Sequence, residues 1–145
     1  MPPRFLLDDS EWNASGTATD PQGRQQPFTG MARFRHDASG WINDSFAYLS
    51  SDPSSRSTNL YSIRPFAPGA RSTTWTSVAS FCGECRGVFI LLDDDTLLAS
   101  GGSADGHVVW AEYIYRLPDG SWRARSASTR DGELLVTVDC ILTPV

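Results

Sequence analysis

The chain contains no lysine, so its 12 basic residues are all arginines, and with 17 acidic residues it carries a formal net charge of −5. Without a basic patch, the electrostatic attraction that drives nucleic-acid binding is missing, and we expect neither nucleic acids nor anionic membranes as partners. No segment approaches the roughly 20 apolar residues needed to span a bilayer. The opening residues, MPPRFLLDDSEW, lack the apolar core of a secretory signal, which predicts a cytoplasmic protein.

Cysteine and histidine are scarce, with three and two copies. Cys82 and Cys85 have a C-x-x-C spacing, and Cys140 is the third cysteine. A structural zinc site needs four ligands, so His36 or His107 would have to complete the set, and nothing in the sequence brings them together. A redox C-x-x-C belongs to a thioredoxin-like context, which this chain does not offer. We therefore expect a reduced hairpin turn at this point, with no metal and no organic cofactor.

The sequence also lacks the common catalytic motifs. It has no nucleophile elbow, no phosphate-binding glycine loop and no HExxH helix. Two histidines without a recognisable context give little support to a hydrolytic triad. Any catalysis would have to use isolated acidic groups.

The patterning is that of β-strands throughout. Turn signals recur about every 8–12 residues, which is typical of an all-β meander, sandwich or barrel. The length of 145 residues predicts a single domain, 1–145, with 1–10 as an N-terminal extension. The predicted strands are 11–19, 27–36, 40–50, 57–66, 71–80, 86–93, 95–101, 106–117, 121–130 and 133–142.

The connections favour a closed antiparallel barrel. Asp-Gly and Ser-Gly pairs between strands supply the positive φ that tight hairpins demand, and short links join strands antiparallel. Closing the sheet removes its exposed edges, whereas a Greek-key sandwich needs long crossovers. We predict a single up-and-down β-barrel of about 8–10 strands with a central cavity. The two longest connections, ATDPQGRQQPF and LSSDPSSRST, are predicted as mobile loops at its open rim.

Trp12 opens the first strand and is followed by the alternating small residues Ala14 and Gly16, in a meander that fills nearly the whole chain. Asp-Gly hairpins mark its C-terminal half. In these features the chain resembles the calycin superfamily, which includes lipocalins, fatty-acid-binding proteins and nitrobindin-like barrels. It is most similar to small bacterial lipocalin-like domains of unknown function. The resemblance implies a ligand-binding barrel, with the ligand left open.

The chain departs from this family at two points. The letters SEW stand where lipocalins usually carry Gly-x-Trp. The family's arginine that covers Trp12 would be Arg123 or Arg125. Nitrobindin-like barrels take a proximal haem histidine from the C-terminal region, but no histidine follows His107, so the resemblance does not imply haem here.

Ionisable groups on apolar strand faces are the candidate catalytic residues, because burying a charge costs several kcal/mol unless it is paired or faces water. Asp44 shares its strand face with Ile42, and Glu112 shares its face with Trp110. His36 ends the apolar face of the second strand. If these faces point inward, desolvation would raise the carboxyl pKa values toward those useful for general acid or base chemistry.

A shift of one residue reverses this assignment, and both faces of the eighth strand are apolar. The alternative interpretation leaves Glu112 and Arg116 as solvated surface residues. An inward Arg116 or Arg64 would instead hold a ligand carboxylate bidentately. Aromatic residues at period two indicate either a pocket for a planar or lipidic molecule or an ordinary core. The predicted aromatic ligand-binding residues are Trp75, Trp110, Phe34, Phe46, Tyr48 and Tyr61.

These features support two leading functions. The first is a binding module that holds a small hydrophobic or aromatic molecule, as a monomer or homodimer. The second is a cofactor-free isomerase, cyclase or lyase of a specialised pathway, because orientation alone lowers a barrier by several kcal/mol without any catalytic motif. A purely structural domain with a filled interior ranks below both.

Overall fold

The computed structural model describes residues 8–145, which form ten antiparallel strands and no helix. The strands are β1 (Ser10–Thr19), β2 (Gln25–Asp37), β3 (Gly40–Leu49), β4 (Asp52–Ile63), β5 (Ser72–Ala79), β6 (Gly83–Asp93), β7 (Thr96–Ser103), β8 (Val108–Arg116), β9 (Trp122–Arg130) and β10 (Glu133–Pro144). Each strand pairs with the next along the chain, and β1 pairs with β10. The predicted closed up-and-down barrel is confirmed.

The β9–β10 hairpin shows how turn chemistry sets the register. Arg130 pairs directly with Glu133, so only two residues form the turn. Asp131 has φ 51° and Gly132 has φ 84°, which is the pattern that a type I′ turn requires. His107 Nδ1 lies 2.6 Å from an Asp131 carboxylate oxygen, and this hydrogen bond raises the pKa of His107. The turn therefore also ties the β7–β8 connection to the β9–β10 hairpin.

One end of the barrel is packed solid. Trp12 is fully buried there, on the inner face of β1. The neighbouring strands contribute further side chains that are less than a tenth exposed, namely Phe34, Ile63, Leu97, Ile114, Trp122 and Leu142. The opposite end is formed by the β1–β2, β3–β4, β5–β6, β7–β8 and β9–β10 turns. Inner residues are only partly buried near the β1–β2, β3–β4 and β9–β10 turns, whereas Ala79, Cys85 and Val108 are buried near the other two turns. The core therefore closes one end and leaves the other accessible.

Trp75 fills one side of the barrel interior. Its ring lies against Gly87 of β6 and Gly101 of β7, and a Cβ built at Gly101 would stand 2.6 Å from two of its ring atoms. Trp75 stacks on Trp110 with centroids 5.6 Å apart. Tyr61 meets it edge-on at 5.0 Å. The β5–β7 side is thus occupied, and open space remains toward β1–β4 and β8–β10.

The segment LSSDPSSRST was predicted as a mobile loop, and this is wrong. Ser50 and Ser51 alone form the turn, and β4 begins at Asp52, opposite Leu49. Its first residues are exposed and polar, so the sequence resembles a loop, yet they extend the barrel wall.

Among the described residues, no helix is long and apolar enough to cross a membrane.

Candidate functional site

A cavity of about 530 Å³ lies inside the barrel and extends toward the end formed by the β1–β2 and β3–β4 turns. Phe34, Ile114 and Leu142 line its floor and belong to the buried core. Further apolar and aromatic side chains line its wall, among them Phe28, Tyr61, Phe89, Trp110, Val136 and Val138. The volume falls within the range of small-molecule sites, roughly 300–1,000 Å³.

Polar side chains line two opposite parts of the same wall. One set lies on β3 and β4, and it includes Asn43, Ser45, Ser57 and Asn59. The other set lies on β9, and it comprises Ser126 and Ser128. The amide oxygens of Asn43 and Asn59 are buried and accept no hydrogen bond within the described part of the chain. A buried acceptor without a partner costs about 1–3 kcal/mol, so both oxygens favour a donor in this layer.

Glu112 is on the inner face of β8, in register with Ala99 of β7 and Ser126 of β9. It lines the cavity, as the inward interpretation of β8 predicted. No hydrogen bond or ion pair to its carboxyl group occurs within residues 8–145. Burial raises the pKa of Glu112 from its ordinary 4.5 to about 7. The group therefore changes charge near neutral pH.

Tyr61 and Cys140 are the titratable side chains that feel the charge of Glu112. Burial raises the pKa of Tyr61, the charge of Glu112 raises it further, and a hydrogen bond from the Asn59 side chain opposes the rise. Burial also raises the pKa of Cys140 to about 11, again with a contribution from Glu112. Both groups are neutral at physiological pH, and neither balances the charge of the carboxylate.

Asp44 does not protrude into the cavity, and its predicted inward orientation is wrong. Asn43 pairs with Phe34 and Ser45 with Ala32, so the odd-numbered residues of β3 face inward and Asp44 is exposed. The prediction failed because inner residues beside a cavity do not have to be apolar, so the polar Asn43 and Ser45 can face inward. Ile42, Phe46 and Tyr48 consequently lie on the outer face, whereas Trp41 packs against the core.

Phe46 and Tyr48 share the outer face of β3 with Asp44. Their rings stack with centroids 6.4 Å apart, and the guanidinium carbon of Arg56 lies 4.0 Å from the Phe46 centroid. Both residues border the cavity from the side of its open end. Their alternation nevertheless directs them away from the interior where Asn43 lies.

His36 and the two predicted ligand-binding arginines also lie away from the cavity. His36 is exposed at the end of β2, where its ring stacks on Trp41 at 4.7 Å. Arg64 is exposed just beyond β4. Arg116 ends β8 at the packed end, with its guanidinium 3.7 Å from the Asp95 carboxylate. Neither arginine lines the cavity, so the inward placement predicted for them is wrong.

The predicted aromatic residues divide between the cavity and its support. Phe34, Tyr61 and Trp110 line the cavity. Trp75 is 2% exposed and stands behind Tyr61 and Trp110 without lining it. Phe81, in the β5–β6 turn, is an additional mouth residue that the sequence analysis missed, with its ring 6.5 Å from that of Trp110.

The C-x-x-C pair lies beside this mouth. Cys82 is in the β5–β6 turn, Cys85 is on the inner face of β6, and their unbridged Sγ atoms are 3.1 Å apart. Burial, followed by the hydrogen bond with Cys85, raises the pKa of Cys82 to about 12. Within the described residues, no three His, Cys, Asp or Glu side chains group closely enough to hold a metal ion.

Arg123 and Arg125 lie on the outer face of β9, opposite in alternation to the inward-facing Ala124. Arg123 forms a two-pronged contact with Asp139, with distances of 2.9 and 2.5 Å. Arg125 lies 4.0 Å from the same carboxylate. The expectation that one of them covers Trp12 is wrong, because Trp12 is buried on the inner side of the wall.

The polar inner residues Asn43, Ser45, Asn59, Ser126 and Ser128 were not predicted as site residues. Hydrophobicity alone assigns a polar residue on a strand to the surface, so these five residues give no sign that they face inward. The one signal that identifies them is register. Once Phe34 is assigned inward on β2, the pairing carries the inward face to Asn43 and then to Tyr61.

The sequence matches no protein-family profile and no curated protein sequence. Among solved structures, the chain is similar to the S-type phycobiliprotein lyase CPES from Guillardia theta, with a TM-score of 0.63 and 9% sequence identity, over 95% of this chain and 87% of that one. A structure of EF1p2_mFAP2b bound to DFHBI matches with a TM-score of 0.41 and 12% identity, over 93% and 91% of the two chains. The chain therefore shares its overall fold with the lyase structure.

Proposed function

We propose that the barrel binds a small, mainly apolar molecule in its cavity, with Glu112 as the polar anchor. The observation that carries the proposal is an unpartnered carboxyl group in a cavity of about 530 Å³ with a largely aromatic and aliphatic wall. Ligand sites commonly combine an apolar wall with a few placed polar groups. A single domain of the small lipocalin-like kind is the subgroup that we propose for this chain.

A purely structural role for Glu112 has little support. A buried carboxyl without a partner destabilises a fold, whereas a leucine or glutamine at that position would not carry a charge into the cavity. A perturbed carboxyl in a cleft is instead typical of functional sites. The similarity to a phycobiliprotein lyase supports the barrel fold, and the proposal itself rests on the cavity.

Proton transfer is the second candidate function, because the pKa of Glu112 is about 7. A general acid or base works best when its pKa lies near the working pH. An isomerase, cyclase or lyase could use Glu112 to remove a proton from one carbon and return it to another. In this hypothesis Trp110 and Tyr61 hold the substrate against the carboxyl group.

Binding of the uncharged fluorophore Nile red tests the first proposal. Ser128 faces the cavity from β9, so Ser128→Trp places an indole in the open space. The exposed Ala127 next to it supplies the matched control, Ala127→Trp. We expect Nile red fluorescence to rise and saturate with the wild type and Ala127→Trp, and affinity to fall at least about tenfold with Ser128→Trp, which corresponds to roughly 1.4 kcal/mol. Equal binding by all three proteins would contradict the proposal.

Native mass spectrometry of the protein purified from its own host separates binding from catalysis. A retained molecule identifies the ligand class and can then be incubated with the protein in excess. Under the enzyme hypothesis, an isomer or elimination product appears with the wild type and not with Glu112→Gln. Recovery of the unchanged molecule from both proteins would leave binding as the function.

A further inference from the structure

The described cavity lining contains an acidic side chain and no basic one. Among the described lining residues, Glu112 is the one carboxyl group, and no arginine or histidine is present. The two arginines considered as carboxylate partners, Arg64 and Arg116, lie outside it. A ligand carboxylate or phosphate would therefore add a second negative charge to a poorly solvated space without a counter-ion, which is strongly unfavourable.

Two buried hydrogen-bond acceptors add to this preference. The Asn43 and Asn59 amide oxygens are buried acceptors without a donor among the described residues. The Asn59 side chain lies beside Tyr61 and lowers the pKa of its hydroxyl, and the Asn59 amide oxygen has no partner. Together with the Glu112 carboxylate, these oxygens favour a ligand that donates hydrogen bonds, whereas the serine hydroxyls of the wall can either donate or accept.

An aromatic face adjoins the carboxyl group. Trp110 precedes Glu112 by two residues on the inner face of β8, so their side chains are neighbours about 7 Å apart along the strand. Trp110 is held by stacking on Trp75 and contacts the cavity. A desolvated cation placed over a tryptophan face is attracted by the quadrupole of the ring.

We propose that the cavity selects an aromatic or apolar nitrogen base, such as an amine, an amidine or a protonatable heterocycle, whose N–H groups donate to Glu112 while its body packs against Trp110. The inference rests on the proposed binding function and narrows it to one ligand class. It separates this barrel from carriers of fatty acids and other organic carboxylates, which need a cationic partner inside. The groups facing Glu112 from other strands, Tyr61 of β4 and Cys140 of β10, are neutral and do not reverse this preference.

Three naphthalene probes of one size test the selection: 2-naphthylmethylamine, 2-naphthalenemethanol and 2-naphthoic acid. Their affinities are measured by calorimetry at about pH 8, where Glu112 is ionised, and at about pH 5.5, where it is neutral. We expect the amine to bind about tenfold more tightly than the alcohol at pH 8, with the acid weakest. The amine should lose that advantage at pH 5.5, although it stays protonated at both values.

Glu112→Gln should remove the advantage of the amine over the alcohol at pH 8, and the exposed Glu133→Gln, as the matched control, should retain it. If the acid binds as tightly as the amine, or if Glu112→Gln keeps the order of the probes, the cavity still binds small molecules and the nitrogen-base inference is overturned. If no probe and no Nile red binds to the wild type, the proposed binding function itself fails. These two failures are therefore distinguished within one experiment.

Discussion

At the scale of single residues, the side chain that distinguishes this barrel from a filled one is Glu112. It points into open space among apolar neighbours, and burial keeps its carboxyl group protonated up to about pH 7. The neutral acid tolerates this environment, whereas the anion requires a partner that the described protein groups do not supply. Folding consequently favours the neutral acid, whereas the proposed ligand binding favours the carboxylate anion.

Because burial raises the pKa of Glu112, we expect the free energy of unfolding to depend on pH. The folded pKa of about 7 lies above the ordinary 4.5, so the folded state holds a proton that the unfolded chain has lost. Stability therefore falls as pH rises from about 4.5 to 7 and stays lower above that range. We expect Glu112→Gln, which mimics the neutral acid, to match the wild type near pH 4.5 and to be more stable by about 3 kcal/mol at pH 8.

Urea unfolding at the two pH values measures this difference, and the exposed Glu133→Gln serves as the control that should not change it. An equal stability gain at both pH values would mean that packing, and not ionisation, explains the effect. Loss of stability at pH 8 would show that the ionised Glu112 has a stabilising partner.

At the scale of elements, the sequence predicts the strands well and their faces unevenly. All the predicted strands of the described chain exist, and β5 and β9 match within one residue at each end. The face of β8 that carries Glu112 is the predicted one, whereas the faces of β3 are reversed. The reason is physical: in a hollow barrel the inner residues do not have to be apolar, so alternation of polarity does not distinguish inside from outside.

The packing of Trp75 of β5 against β6 and β7 depends on Gly87 and Gly101, which lie inside strands and not in turns. Gly101 is inside a strand, and a side chain there would meet Trp75 at 2.6 Å and the Arg86 carbonyl oxygen at 2.5 Å. We expect Gly101→Ala to destabilise the fold by about 2 kcal/mol, because neither the buried indole nor the backbone can move freely. The adjacent Ser100 is exposed on the outer face, so Ser100→Ala should change stability by less than about 0.5 kcal/mol.

Thermal or urea unfolding of the two variants checks this prediction, and near-ultraviolet circular dichroism reports the environment of the tryptophans. A Gly101→Ala protein as stable as Ser100→Ala, with an unchanged spectrum, would show that Trp75 is not held by these strands. Its role as the support of Trp110 and of the cavity wall would then be wrong.

At the scale of the whole molecule, the two ends of the barrel have different tasks. At the packed end, the Val145 amide donates to the Glu11 carbonyl at 3.1 Å, which links the end of β10 to the start of β1, and tightly buried core side chains cluster there. The other end carries the β1–β2, β3–β4, β5–β6, β7–β8 and β9–β10 turns, the cavity mouth and the cysteine pair. The pairing of β1 with β10 closes the barrel and removes both exposed edges of the sheet.

A circular permutant tests whether closure or chain order specifies the fold. Joining residue 145 to residue 1 and opening the chain between Ser50 and Ser51, which form an exposed turn, keeps every strand whole. We expect this permutant to fold with the wild-type far-ultraviolet spectrum and to bind Nile red, because exposed turns tolerate new termini. A second permutant opened between Ala111 and Glu112 interrupts β8 beside the cavity and should fail to fold. If both permutants fold and bind Nile red equally, continuity of β8 is not needed to form the cavity wall. If neither permutant folds, pairing of β1 with β10 depends on the native order of the strands along the chain.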